Sequence, residues 1–258
     1  MRKIAIINQK GGSGKTTTAV NLSAALAEKK RKILLIDIDP QASTSSWFGK
    51  PRDDKGLFDL FVNKADLKDI VQTTNVPYID IIPSSSWLMG VEKRLAQEVG
   101  AETILKQKFQ EIASTAWDYI IIDCPPALGI LTINALTAAQ EIIVPVEARI
   151  MALAGLVQLL QTIQVIKERL NPKLRISGIV PCRVDLRTNH AKEVVKELQS
   201  NFKDKMYKTA IRENIRLAEA PSFLKPITDY DSSCNGAEDY RLLAREVIKQ
   251  EKSKIKNA

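Results

Sequence analysis

The 258-residue sequence holds a single histidine, His190, and three cysteines, Cys124, Cys182 and Cys234, far apart and without a CxxC pair. A disulfide framework and a zinc site are both excluded by that spacing, and a reducing compartment follows. Each cysteine is expected to serve as a small buried hydrophobe. No apolar run reaches the length of a bilayer-spanning helix. The opening "MRKIAIINQKGG" lacks the apolar stretch and small-residue cleavage site of a secretory signal, so a cytoplasmic location is expected. Aromatics amount to 5%, and no repeat, low-complexity tract or linker interrupts the chain.

What the chain does have is a moderate positive charge and many short aliphatic runs. The formal charge of +8 draws a protein toward polyanions such as nucleic acid or an acidic lipid surface, without choosing between them. The runs at 3–7, 32–37, 78–83, 119–123, 141–146 and 175–180 are rich in Ile, Val and Leu and apolar nearly throughout, the pattern of parallel strands covered on both faces. Helical spacing fills 15–30, 101–116, 154–170, 188–200 and 236–250. The alternation predicts an α/β fold with a doubly wound, mostly parallel sheet flanked by helices. One domain over 1–250 with a short basic tail at 251–258 is expected. In the helix over 154–170, Leu156, Leu159, Leu160, Ile163, Val165, Ile166 and Leu170 are expected to face the core, and 49–76 reads as short helices around a loop.

The stretch "NQKGGSGKTTTAVNL", Asn8–Leu22, carries the chemistry. The ordinary phosphate-loop pattern requires glycine at position 9, where this chain has Gln9, so the strict pattern fails. A strand, a glycine-containing turn and a helix nevertheless remain. Such a turn presents successive backbone N–H groups and the positive end of a helix to a phosphate. Gly11, Gly12, Ser13, Gly14, Lys15, Thr16 and Thr17 are the candidate phosphate-binding residues of the cofactor site. Lys15 is placed to reach the β- and γ-phosphates, Thr16 to bind Mg²⁺ and Thr17 to contact the α-phosphate. A dinucleotide fold is disfavoured, because its fingerprint needs no lysine here.

Two strands end in carboxylates: "KILLIDIDPQAS" with Asp37 and Asp39, and "WDYIIIDCPP" with Asp123. In a parallel sheet these ends share one edge, so all three can gather beside the phosphate loop. Asp123 fits the Mg²⁺-side carboxylate, directly or through water and the Thr16 hydroxyl. Asp39 is assigned to orient the attacking water, and Thr16, Asp39 and Asp123 make up the candidate metal set. Asp37 is expected to hold the loop by hydrogen bonds.

With "KGGSGKTTT", "DIDPQ", "YIIIDCPPALGILTINAL", "VPVEARIMALAGLVQLL", "DLRTNHAKEVV" and "IRENIRLAEAPSFLKPI" in order, the chain resembles the ParA/Soj branch of the deviant Walker A ATPases, the group that also includes MinD. The resemblance runs from residue 2 to about 249. It implies that Lys10, which stands five residues before the expected lysine, crosses to a neighbouring subunit and touches the phosphates there, so that two ATP molecules are sandwiched in a homodimer. It implies that Gly11 permits close approach of the subunits, that Asp39 is the first-switch aspartate needed for hydrolysis, and that Asp123 is the Walker B aspartate, with the second switch at 123–129. Lys10, Lys15, Asp39 and Asp123 are thus the candidate catalytic set.

The resemblance also implies non-specific binding of double-stranded DNA through Arg187 and Arg216, association with the nucleoid, and stimulation by a ParB-like centromere-binding partner. Nine Lys or Arg against five Asp or Glu between Arg183 and Arg216 agree with a phosphate-facing surface. The alternative is a MinD-like or adaptor-type positioning ATPase acting on a membrane or a protein cargo. The tail "EVIKQEKSKIKNA" has few apolar residues among its lysines, so stable membrane anchoring is not expected. A metal-cluster reductase of related fold is disfavoured, because no second cysteine stands in a loop matching that of Cys124. With the first strand at residue 3, no operator-binding segment precedes the loop, and sequence-specific DNA binding is not expected. The chain departs from the family in two places. Gln41-Ala42-Ser43 replaces the frequent "QGN", and Ser232, Ser233, Cys234 and Asn235 stand where a basic residue is usual. The lysines at 249, 252, 254 and 256 can offset the second change.

Overall fold

A computed structural model describes residues 1–51, 55–95, 97–113, 115–149 and 152–255. Parts of four expectations fall outside the described residues: 52–54 in the 49–76 region, 114 in the 101–116 helix, 150 and 151 in one family motif, and 256–258 in the basic tail.

Seven strands, β1 (Arg2–Ile6), β2 (Ile33–Asp37), β3 (Gln72–Thr73), β4 (Ile79–Ile82), β5 (Tyr119–Asp123), β6 (Glu141–Glu147) and β7 (Arg175–Cys182), form one sheet. Its order is β3-β4-β2-β5-β1-β6-β7, and β3 pairs antiparallel with β4 while the other pairings are parallel. Five longer helices cover it: α1 (Lys15–Ala27), α2 (Ile130–Ala138), α3 (Ala152–Arg169), α4 (Asn189–Phe202) and α5 (Asn235–Ile255).

The strands are apolar throughout because each face is buried under helices. Ala5, Leu34, Ile36, Ile120, Ile122, Ile142 and Val144 point to one side, with Leu131, Ala135, Leu156, Leu159 and Ile163 of α2 and α3. Ile4, Ile6, Ile33, Leu35, Ile121 and Ile143 point to the other, against Ala19, Leu22 and Leu26 of α1 and Tyr240, Leu243 and Val247 of α5. Alternation along each strand is thus a choice between two cores. Each fully buried Ile or Leu contributes about 1.5–3 kcal/mol.

Helix α5 reaches the site with Tyr240 and is anchored at the opposite edge of the sheet near Val247. Arg2 donates to both carboxylate oxygens of buried Glu141, at 3.0 and 2.6 Å, and through Nη1 to the Val247 carbonyl. Helix α4 starts at Thr188, whose hydroxyl accepts from the Ala191 amide, and buries Ala191, Val194 and Leu198 on one stripe.

Three sequence expectations change. The helix over 101–116 reduces to a single 3₁₀ turn, Ala101–Thr103, and a short helix, Ile104–Lys108. Among the described residues of that stretch only Leu105 and Phe109 gain deep burial beyond Ala101, too little apolar surface to hold a longer helix. Helix α2 was not anticipated. Its sequence, ILTINALTA, buries Thr132, Asn134 and Thr137 along with its apolar residues and has no 3.6-residue contrast to betray it. In α3, Leu156, Leu159, Ile163 and Ile166 are buried but Val165 is 46% exposed, one residue off the stripe. Region 49–76 does contain short helices, Leu57–Val62 and Leu67–Ile70, and also the edge strand β3. Cys124 and Cys182 are buried and Cys234 is half-buried; all three are free thiols.

Candidate functional site

The chain leaves β1, passes through α1 and enters β2, which is not next to β1 in the sheet; β5 lies between them. Asp123 at the end of β5 is therefore register partner to both Ile6 of β1 and Asp37 of β2. The crossover places the phosphate loop on one side of Asp123 and the 37–45 loop on the other.

The loop itself is held by its first residue. Asn8 Nδ2 donates to the Pro145 carbonyl of β6 at 2.7 Å, and Asn8 Oδ1 accepts from the Lys10 amide at 3.0 Å. Gly12 and Gly14 adopt φ of 72° and 90°, the left-handed region that other residues enter at a cost. Gly14 caps α1, and the Thr18 amide donates to its carbonyl at 2.8 Å. The amides of Lys15, Thr16 and Thr17 precede the first intrahelical bond and have no acceptor within the helix. Ser13 Oγ is buried without a hydrogen-bond partner among the described residues.

Around Asp123 the polar groups converge. The Thr16 and Thr44 hydroxyls donate to Oδ2 at 2.8 and 2.7 Å, while Oδ1 is buried with no partner among the described residues. An unpaired buried carboxylate oxygen calls for a cation or a donor. Burial, above all, pushes the Asp123 carboxyl above its ordinary range, against the pull of the two hydroxyls. Burial also pushes Asp37 up, with the Asp123 charge adding to it. Asp37 accepts from the Ser45 amide and hydroxyl, both at 2.7 Å, and from the Asp39 amide at 3.3 Å. These are the loop-holding bonds expected of it.

Asp39 is buried, accepts from the Gln41 amide at 3.0 Å, and its carbonyl accepts from the Ser84 hydroxyl and the Ala42 amide. Ala42 takes a φ of 55°, so the alanine that departs from the family pattern sits in a conformation favoured by glycine. Burial lowers the Lys15 ammonium below its usual range, with Asp123 and Asp39 acting the other way. Its amine donates to the Lys10 carbonyl at 3.2 Å.

A cleft of about 840 Å³ opens over this loop, lined by Gly12, Lys15, Thr16, Asp39, Arg212 and Tyr240 among others. Among the described residues no group of three or more His, Cys, Asp or Glu could hold a metal ion. Mg²⁺ is ordinarily held by one or two carboxylates with substrate phosphates completing the shell, which the unpaired Asp123 oxygen beside Thr16 suits.

Lys15, Thr16, Asp39 and Asp123 are thus brought together. The Lys10 amine instead meets Glu147 of its own chain, Nζ to Oε2 at 2.9 Å. Arg187 is 89% exposed, and its guanidinium is engaged by Asp185 through two bonds of 2.9 Å; that pairing holds the Asp185 carboxyl down to about 2. Arg216 pairs with Glu219 at 3.0 Å and Asp231 at 3.5 Å. Neither arginine is among the residues lining the cleft. Sequence reasoning missed Thr44, Glu147 and the wall formed by Cys182, Arg183 and Ile211–Asn214. Glu147 was legible in principle, since "VPVE" ends a strand at the same edge as Asp37 and Asp123.

Residues 1–176 match the AAA domain family. The chain is 46% identical over 246 residues to the sporulation initiation inhibitor protein Soj of Bacillus subtilis, covering 95% of this chain and 97% of that one. It is 42% identical to the chromosome partitioning protein ParA of Caulobacter vibrioides, covering 98% and 96%. Among solved structures it is similar to cobyrinic acid a,c-diamide synthase from Mycobacterium smegmatis with bound ATP analog and magnesium, with a TM-score of 0.86, 30% identity, and coverage of 98% and 96%.

Proposed function

Because the chain belongs to the ParA/Soj family of deviant Walker A partitioning ATPases, we propose that it acts as an ATP-gated dimer that holds double-stranded DNA without sequence preference. In this reading a ParB-like centromere-binding protein triggers its hydrolysis. ATP is the substrate and Mg²⁺ the cofactor. The observation that carries the reading is Asp123. One oxygen is held by two threonine hydroxyls and the other waits unpaired at the mouth of the phosphate loop.

The residues divide the work as follows. The free amides at the start of α1 and the Lys15 ammonium bind the phosphates; partial desolvation of that ammonium strengthens its attraction for them. Thr16 and Asp123 would hold Mg²⁺, which when bound neutralises phosphate charge. Asp39, fixed at both ends of its turn, orients water toward the γ-phosphate; positioning and charge stabilisation rather than a strong base lower the barrier. Lys10 supplies its charge to the partner's phosphates, making the dimer depend on nucleotide. Gly11 supports that geometry: a Cβ there would meet nothing within 4 Å, so the chain itself does not demand glycine, whereas a subunit approaching closely would.

Arg187, just before α4, and Arg216, on the short helix Ile215–Glu219, are the residues assigned to DNA phosphates. Among the described residues no helix is long and apolar enough to cross a membrane, and the formal charge of +8 suits a polyanion. The test is sizing with MgATP. Asp39→Ala should accumulate as a dimer that is retained on duplexes of any sequence, whereas Lys15→Ala and Lys10→Ala should stay monomeric. Retention on anionic vesicles instead of DNA would favour the membrane alternative, and a Lys10→Ala dimer would remove the gating.

A further inference from the structure

Glu147 ends β6, is 5% exposed, and faces three cations. Lys10 Nζ lies 2.9 Å from Oε2, while Arg149 Nε and Arg183 Nη1 lie 2.9 and 3.1 Å from Oε1. One carboxylate thus carries more positive charge than it needs. Removing a single partner from a buried carboxylate ordinarily strands the charge at a cost of several kcal/mol. Here, Lys10 can depart and leave two guanidiniums within ion-pair distance of Oε1, which neither of them hydrogen-bonds while Lys10 is in place. Lys10 is also the partner whose main chain is tied to the phosphate site, because its carbonyl accepts from the Lys15 amine.

We propose that Glu147 is a cis latch for Lys10: it holds the Lys10 amine on its own subunit until nucleotide is bound, and Arg149 and Arg183 take over the carboxylate when Lys10 turns to the partner. The proposal rests on the trans role of Lys10 given above. Phosphate entering the loop draws the Lys15 amine off the Lys10 carbonyl, and that releases the carbonyl while Asn8 still holds the Lys10 amide. The latch sets the nucleotide-bound dimerisation constant without touching substrate, so Glu147 is a positioning residue.

Its test is sedimentation with MgATP in an Asp39→Ala background, where turnover does not drain the dimer. Glu147→Gln should reach half-dimerisation at about three- to tenfold lower protein concentration, as expected for two partly exposed ion pairs opened per dimer. Arg149→Gln, at a side chain 63% exposed and tolerant of replacement, should shift the midpoint the other way, because Lys10 then leaves a poorer-paired carboxylate. The affinity of the monomer for MgADP should stay the same in both. An unchanged or higher midpoint for Glu147→Gln overturns the latch, as does a loss of MgADP affinity, which would mean that Glu147 only shapes the loop. If Glu147→Gln does not fold, an Arg149→Gln midpoint that fails to rise overturns the latch by itself. Adding Lys10→Ala to the background separates the two ideas. Absence of a dimer there alongside an unmoved Glu147→Gln midpoint rejects the latch alone, whereas a normal Lys10→Ala dimer rejects the trans reading beneath it.

Discussion

In the proposed DNA contact, Asp185 competes with phosphate for Arg187. The guanidinium spends two donors on that carboxylate, and Arg187 is well exposed while Asp185 is half-buried, so the pairing is more a competition than a source of stability. Asp185→Asn keeps an acceptor for the Arg187 amide but removes the competing charge beside the DNA. Affinity of the ATP-bound dimer for a random duplex at ~0.1 M salt should rise about two- to fivefold, the scale of one unscreened unit charge near a phosphate. Fluorescence anisotropy measures it; an unmoved Kd in a protein whose binding Arg187→Ala weakens would contradict this competition. At the same scale, the phosphate loop was readable from offsets alone: Lys15, Thr16 and Asp123 needed only chain order and the shared strand edge. Thr44 was not readable, since one hydroxyl in a Ser/Thr-rich turn has no pattern until the fold sets it against Asp123.

Among the elements, β7 shows how tightly the outer strand is built. A Cβ on Gly178 would stand 2.2 Å from Cε2 of Tyr207, a buried ring whose hydroxyl bonds Ser177 and Gln250. The ring cannot retreat without surrendering those bonds. Gly178→Ala should therefore cost about 1–3 kcal/mol of stability, the usual penalty of overpacking. Urea unfolding would show it as a lowered midpoint at constant slope; an unchanged midpoint would mean that β7 yields freely. The strands were legible because double burial leaves unbroken aliphatic runs, as in YIIID of β5. Burial also hid α2, whose Thr132, Asn134 and Thr137 are buried like their apolar neighbours and mark no solvent face. The expected helix over 101–116 failed in the opposite sense, having helical spacing but burying only a turn's worth of side chains.

For the whole molecule, sheet order explains function better than any single motif. Inserting β5 between β1 and β2 puts Asp123 between the phosphate loop and the Asp37 turn, and placing β6 on the other side of β1 puts Glu147 within reach of Lys10. The same edge therefore carries both the chemistry and the resting place of the residue proposed to join two subunits. The most direct measurement is a crystal structure of Asp39→Ala with ATP and Mg²⁺. It should contain a two-fold dimer with each Lys10 amine at about 3 Å, hydrogen-bond distance, from the partner's phosphate, and with Glu147 held by Arg149 and Arg183. An ATP-bound dimer whose Lys10 amines remain on their own Glu147 would contradict the account.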